Sequence, residues 1–216
     1  VPVAFFFAAA AVYCVAAYGM GRFSRPLGLL MLAMFAAYMV ANVWQMKNAP
    51  AEPEHEEELM SLGRIVLRLV VGATLIALGA NLLVDNGTII AQALGVPESV
   101  IALTFVALGT SLPELVTAIT SLMKGHSDLS LGNVVGANVF NLVLVSGVSV
   151  ALAPFDIPQS ATLFGINSSL VLELPVMLLV MILLTIPALV RGRLSRVQGV
   201  ALLCIYAAFC AVQFTL

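Results

Sequence analysis

The sequence predicts an all-α membrane protein that crosses the bilayer several times and contains an inverted internal repeat. Three observations lead there. Of 216 residues, 62% are hydrophobic and 9% charged, whereas soluble domains carry about 25% charged residues. The apolar residues gather into seven runs, about 3–20, 27–44, 65–84, 100–122, 131–153, 171–190 and 197–215, near the length that spans a hydrocarbon core of about 30 Å. The third observation is a motif that occurs twice. Gly21-Arg22-Phe23-Ser24-Arg25 followed by Gly28 matches Gly192-Arg193-Leu194-Ser195-Arg196 followed by Gly199, and Val1-Pro2-Val3 echoes Leu174-Pro175-Val176. Five segments, an odd number, separate the copies, so they lie on opposite sides of the membrane. Inverted repeats of this kind mark secondary transporters, with the binding site at the midplane between the halves.

Taken in order, residues 1–46 hold the last two helices of a first repeat and residues 62–216 a complete five-helix second repeat. Residues 47–61 form an acidic linker around Glu52, Glu54 and Glu56-Glu57-Glu58. One side of the membrane collects Lys47, Arg64, Arg68, Lys124, Arg191, Arg193 and Arg196; the other has Arg22 and Arg25. The first side, with the linker, is therefore expected to be cytoplasmic. The chain opens on Val1 with no cleavable leader ahead of it, so it is expected to start inside a longer protein. The net charge of −2 offers no basic surface for nucleic acid. Cys14, Cys204 and Cys210 sit in apolar runs without metal-ligand spacing, and His55 and His126 lie in loops. No phosphate-cradling glycine motif is present and no cofactor is expected; lipid is the surrounding partner.

The chemistry concentrates in Gly109-Thr110-Ser111-Leu112-Pro113-Glu114. Ten residues separate Glu114 from Lys124, about 15 Å of helix, which sets the carboxylate near the bilayer midplane. An ionised carboxylate there costs roughly 3 kcal/mol on insertion scales. Pro113 has no N–H, so a kink at Pro113 should free the carbonyl of Gly109. That carbonyl, the hydroxyls of Thr110 and Ser111 and the Glu114 carboxylate are hard oxygen donors, a cation site in outline. The competing readings are a protonated or paired structural carboxylate, and hydroxyls bonded back to carbonyls one turn earlier.

Asn141 lies thirteen residues from both Asp128 and Pro154, at the same depth as Glu114. Asn138, three residues before it, shares its face. Asn133 and Asn138 read equally as ligands or as interhelical hydrogen-bonding glue. Gly132 and Gly136 are expected to permit close helix approach, and Gly72, Ala73, Ala77, Gly79 and Ala80 to form a smooth packing or sliding surface. Asp85 should end the third segment; Glu98, Asp156 and Glu173 read as interfacial.

Ala102 to Gly147 closely resembles an α-repeat of the calcium/cation antiporter superfamily, the sodium/calcium exchanger membrane region. The motifs that carry the resemblance are Ala107-Leu108-Gly109-Thr110-Ser111-Leu112-Pro113-Glu114 and Gly132-Asn133-Val134-Val135-Gly136-Ala137-Asn138-Val139-Phe140-Asn141. Asp85-Asn86-Gly87 and Gly125 to Asp128 fit its bacterial branch. The resemblance implies an inverted-repeat fold of ten helices, seven of them here, that exchanges Ca²⁺ against Na⁺ across the inner membrane by alternating access. It implies that Glu114 is a central ligand with Thr110 and Ser111, that Ala107 offers its carbonyl, and that Asn141 completes this half's share. The missing repeat of the same polypeptide would supply the rest. Better-known exchangers often have an acidic residue at the place of Asn141, and some a serine at that of Ala137, so this half brings fewer donors. Coupling to Na⁺ or to H⁺ therefore stays open, as does a half-size subunit paired with a separate chain. An intramembrane hydrolase using Ser111 fails, because the stretch lacks a nucleophile-elbow glycine and His126 lies about fifteen residues away.

Overall fold

The computed structural model describes residues 2–48, 61–96, 101, 104, 106–125, 127–157, 162–163, 165–191 and 194–213. The acidic stretch 49–60, Glu98, His126 and the pair Gly192-Arg193 lie outside the described residues. Helix α1 runs Pro2–Cys14 and continues as a π-helix, Val15–Met20. A two-residue strand β1, Arg22–Phe23, leads into α2, Arg25–Lys47. Then come α3, Leu62–Ala93, the short α4, Ala107–Thr110, and α5, Leu112–Met123. Helix α6 starts as Ser127–Val139, passes through a π-helical Phe140–Val145 and ends as Ser146–Leu152. Strands β2, Phe155–Asp156, β3, Thr162–Leu163, and β4, Ile166–Asn167, precede α7, which opens with a π-helical Ser169–Glu173 and runs on as Leu174–Arg191. Helix α8 is Arg196–Gln213.

Among the described residues, six helices are long and apolar enough to cross a membrane: α1, α2, α3, α6, α7 and α8. The protein is thus an all-α, multi-pass membrane protein. The predicted segment 100–122 differs from the others, being broken at Ser111 into α4 and α5. A parity argument shows that these two pieces together make one crossing. Strand β1 pairs antiparallel with β2, Arg22 opposite Asp156 and Phe23 opposite Phe155, and the two phenyl rings stack at 5.0 Å. The α1–α2 and α6–α7 connections therefore lie on one side, which requires an even number of crossings between them. Helices α2, α3 and α6 supply three, and α4 with α5 the fourth.

Helix α3 overruns its predicted end. Asp85 is expected to end the segment, yet the Asn86 amide donates to Leu82 O at 2.7 Å and the helix goes on to Ala93. The true stop is Gly95, with φ +76, where Val96 N donates to Ala91 O at 3.0 Å and Gly95 N to Gln92 O at 3.0 Å. Asp85 therefore sits inside α3, exposed, and does not end it. At 32 residues the helix is about 48 Å long, more than a perpendicular crossing needs.

The core lies between α1, α2, α6 and α7, around Phe6, Ala9, Met31, Val139, Val143 and Met181. Its tightest crossing is α2 on α6. A Cβ on Gly28 would stand 2.5 Å from Ala151 N and 2.9 Å from Gly147 O, and one on Gly147 would stand 3.1 Å from Met31 Cβ. Bare backbone meets bare backbone, the way helices gain dispersion contacts where lipid offers no hydrophobic drive. The expected close approach at Gly132 and Gly136 is not there: Gly132 faces open space and Gly136 comes only within 3.5 Å of Tyr38 Oη. On α3 the small-residue surface is likewise mostly open, with Ala80 buried and Gly72 and Gly79 free of neighbours.

Helix α8 is pinned to α7 by a backbone repair. Pro187 lacks the N–H that would satisfy Leu183 O, and Gln198 Nε2 donates to it at 2.6 Å and to Leu184 O at 3.1 Å. The crossing at Gly28 makes a paired prediction. Gly28→Ala should lower stability by about 1–3 kcal/mol through overpacking, despite a helix-propensity gain of about 1 kcal/mol. Gly72→Ala, facing open space, should be neutral or stabilising. Thermal unfolding of the two variants in detergent checks this; equal melting temperatures would mean that α2 and α6 do not meet at Gly28.

Candidate cation site

The site begins with a helix that stops and restarts inside the apolar run. Ser111 has φ −96 and ψ 0, outside the helical region, and its N–H turns back to Leu108 O at 3.1 Å. Leu115 N then donates to Ser111 O at 3.0 Å and α5 is under way. Pro113 stands in the first turn of α5. It thus starts a new helix, where a missing N–H costs nothing, and does not kink a continuous one. The same change puts Glu114 in the first turn of α5, at the positive end of its dipole.

One carboxylate oxygen of Glu114, Oε2, is buried and has no hydrogen-bond partner. A buried carboxylate oxygen normally accepts bonds from protein groups or coordinates a cation. Thr110 Oγ1 donates to Ala107 O at 3.0 Å, the back-bond weighed from sequence. Its lone pairs stay free, so the bond orients the hydroxyl without consuming it as a ligand. Ser111 is exposed on the same turn. Gly109 is buried against α3, where a Cβ would collide with Val84 Cγ2 and lie 3.6 Å from Ala80 O. Thus Ala107, Gly109, Thr110, Ser111 and Glu114 flank the break between α4 and α5, with Gly109 packed on α3.

The asparagines are placed differently. Helices α5 and α6 pack on each other, and the left-handed Gly125, φ +82, lies in the turn between them. Glu114 is ten residues before Lys124 and Asn138 eleven after Ser127, so they share a depth. Yet Asn138 and Asn141 line a cavity of about 430 Å³ with Phe6, Ser146, Glu173 and Tyr206, and the Gly109–Glu114 turn is not part of its wall. Asn138 Nδ2 donates to Val134 O at 2.8 Å, and the Asn141 carbonyl accepts both the backbone N–H of Ser146, the π-helical bond, and Ser146 Oγ at 2.9 Å. Ala137 is half-buried, and Asn133 Nδ2 is buried without a partner.

Glu173, which reads as interfacial from sequence, also stands in the cavity wall beside the asparagines, and Ser169 Oγ donates to its Oε2 at 3.0 Å. The available signal was the pair Ser169 and Glu173, four apart at the head of an apolar run without a basic residue before Arg191. Among the described residues no group of three or more His, Cys, Asp or Glu is placed to hold a metal. A cation would thus depend on one carboxylate with neutral oxygens around it.

A family model described as sodium/calcium exchanger protein matches residues 64–215, from the start of α3 to beyond the end of α8. The chain belongs to the sodium/calcium exchanger family. It is 33% identical over 200 residues to a putative antiporter, CaxA, of Alkalimonas amylolytica, covering 89% of this chain and 60% of that one. It is 34% identical over 149 residues to a sodium/calcium exchanger, MaX1, of Methanosarcina acetivorans, covering 69% of this chain and 40% of that one. It is 32% identical over 150 residues to the inner membrane protein YrbG of Escherichia coli, covering 65% and 46%. The chain spans about half the length of the curated relatives it matches. No solved structure matches it.

The contact between this family member's broken helix and α3 can be tested. Gly109→Ala should cost about 1–3 kcal/mol by forcing Val84 aside. Adding Val84→Ala should recover a coupling energy of at least about 0.5 kcal/mol, as directly touching residues do. Strict additivity in detergent thermal unfolding would separate the turn from α3.

Proposed function

We propose that the protein is a secondary antiporter that exchanges Ca²⁺ for Na⁺ across the inner membrane by alternating access, and is not an enzyme. The observation that carries this reading is the buried Oε2 of Glu114, unpartnered among the described residues, in the first turn of a helix that begins inside an apolar run. Charge placed there gains nothing for the fold, and a cation would repay it. Family membership supports the reading, as do relatives named for sodium/calcium exchange and for the inner membrane.

In this reading Glu114 supplies the charge that offsets dehydration of the cation. Thr110 and Ser111 offer hydroxyl lone pairs, and Ala107 and Gly109 offer carbonyls. Asn141, and with it Asn138, offers neutral amide oxygens from α6, while Ala137 leaves that helix one hydroxyl short. Na⁺ moving down its gradient competes with Ca²⁺ for overlapping oxygens and drives it across. Ca²⁺ takes six to eight oxygens, more than this turn holds. The remainder would come from an inverted first repeat of the same polypeptide, of which residues 1–46 are the last two helices. Residues 62–216 would be the second repeat, and the acidic linker 47–61 would face the cytoplasm.

A Ca²⁺/H⁺ exchanger, with Glu114 as proton carrier, is the second reading, favoured by the neutral Asn141 and Ala137. Vesicles holding the full-length polypeptide decide between them. A Na⁺ gradient at constant pH should drive Ca²⁺ uptake, and a pH gradient without Na⁺ should not. Glu114→Gln should lower that uptake at least about 100-fold, the factor for roughly 3 kcal/mol, in a protein that still folds. Wild-type flux in that variant would return Glu114 to a structural role.

A further inference from the structure

We propose that Glu173 is a second cation-binding carboxylate, standing between the membrane face of the β1–β2 ribbon and the asparagines of α6, and that it takes a monovalent cation. The inference rests on reading the protein as a cation antiporter, but it concerns residues outside the Gly109–Glu114 turn.

Glu173 ends the π-helical start of α7, inside a span that begins at Ser169. It borders two cavities. One, of about 430 Å³, reaches Asn138, Asn141 and Ser146. The other, of about 310 Å³, reaches Tyr13, Ser169 and the ribbon residues Phe23 and Phe155. Glu173 and Met177 are the residues common to both linings, so the carboxylate stands in the wall that the cavities share. Neither lining contains Lys, Arg or His. The hydrogen bond from Ser169 Oγ engages one oxygen, whereas an ionised carboxylate accepts at about four lone-pair sites.

The polar groups descend in steps from the ribbon side. Glu173 is four residues below the start of its span, Ser146 six below Leu152, and Asn141 eleven below it. At 1.5 Å per residue these lie about 6, 9 and 16 Å deep. Three π-helical stretches border the same two cavities, through Ala17 in α1, Asn141 and Leu142 in α6, and Glu173 in α7; Thr104 and Val106, which are also π-helical, line neither. Such turns recur at functional sites. Hydroxyls also reach their carbonyls, Ser146 Oγ donating to Asn141 O and Tyr18 Oη to Leu170 O at 2.5 Å.

Charge count selects the ion. Calcium sites tune affinity by the number of carboxylates they hold. This cavity offers one, with the neutral oxygens of Asn138, Asn141 and the serines. One negative charge makes a neutral pair with a monovalent ion and leaves a net charge with a divalent one, which is costly away from water. Na⁺ is the ion that the proposed exchange would bring to this face. A merely interfacial glutamate would need none of this: apart from Tyr206 the rest of the wall is apolar, with Phe6, Val180 and Phe209 beside it.

The test is Na⁺ titration of the melting temperature of the full-length polypeptide in detergent, with choline replacing Na⁺ at constant ionic strength. Wild type should melt higher with Na⁺, and Glu173→Gln should need at least tenfold more Na⁺ for half the rise. Glu114→Gln should keep a Na⁺ response that Glu114→Gln with Glu173→Gln lacks. If Glu173→Gln does not fold, wild type is labelled with a hydrophobic carbodiimide and read by mass spectrometry. Na⁺ should then protect Glu173 several-fold relative to choline. An unchanged Na⁺ midpoint in Glu173→Gln, no Na⁺ response in wild type, or labelling of Glu173 indifferent to Na⁺ overturns the proposal. Failure of wild type to exchange Ca²⁺ in vesicles would instead count against the antiporter reading alone.

Discussion

The hydrocarbon core contains no water, so each polar group within it must find its partner in the protein, and the irregular parts of this chain answer that constraint. Pro187 orphans Leu183 O, and Gln198 of the next helix fills the place. In the π-helical turn of α6 the Asn141 carbonyl takes the Ser146 N–H, and the Ser146 hydroxyl adds a second bond. Thr110 leans on Ala107 O where the fourth crossing breaks. Among the described residues three buried side-chain atoms are left unpartnered, Glu114 Oε2 at that break, Asn133 Nδ2 and Gln213 Nε2, and Glu114 is the carboxylate of the three. A fold that repairs carbonyls with this regularity makes an unrepaired carboxylate a statement about function, and the antiporter reading grows from that contrast.

Rigid and open parts divide the molecule. Helices α2 and α6 meet backbone to backbone at Gly28 and Gly147, and α1 and α7 close the core around them. Helix α3 has only Ala80 and Ala91 buried, and α8 has no buried residue. The turn that carries Glu114 lies between these regimes, joined to α6 through the α5–α6 hairpin and pressed on α3 through Gly109. A cation site so placed can be held firmly on one side while the other side moves, which is what alternating access asks of it.

Membrane composition made the fold legible, because a bilayer demands long apolar helices and the sequence supplies them without ambiguity. Local rules failed where context overrode them. Asp85 reads as the end of a segment, but the Asn86 amide finds Leu82 O and the helix continues to Ala93, stopped by Gly95. Pro113 reads as a kink and proves to be a helix start. Gly132 and Gly136 have the spacing of a close crossing, but spacing cannot say which face meets a neighbour. That Glu114 and the asparagines of α6 stand at similar depths is an expectation from counting residues. That Asn141 looks into a cavity with Glu173 depends on the rotation of α6 against α7, which no local pattern encodes.

The central claim is that the Glu114 carboxylate itself meets the transported cation. Infrared difference spectroscopy of the purified full-length polypeptide, with and without Ca²⁺, reads this directly from the carboxylate stretching bands. The account predicts a Ca²⁺-induced carboxylate band in wild type that is missing in Glu114→Gln. A wild-type spectrum without that band, or the same band in the variant, would contradict it.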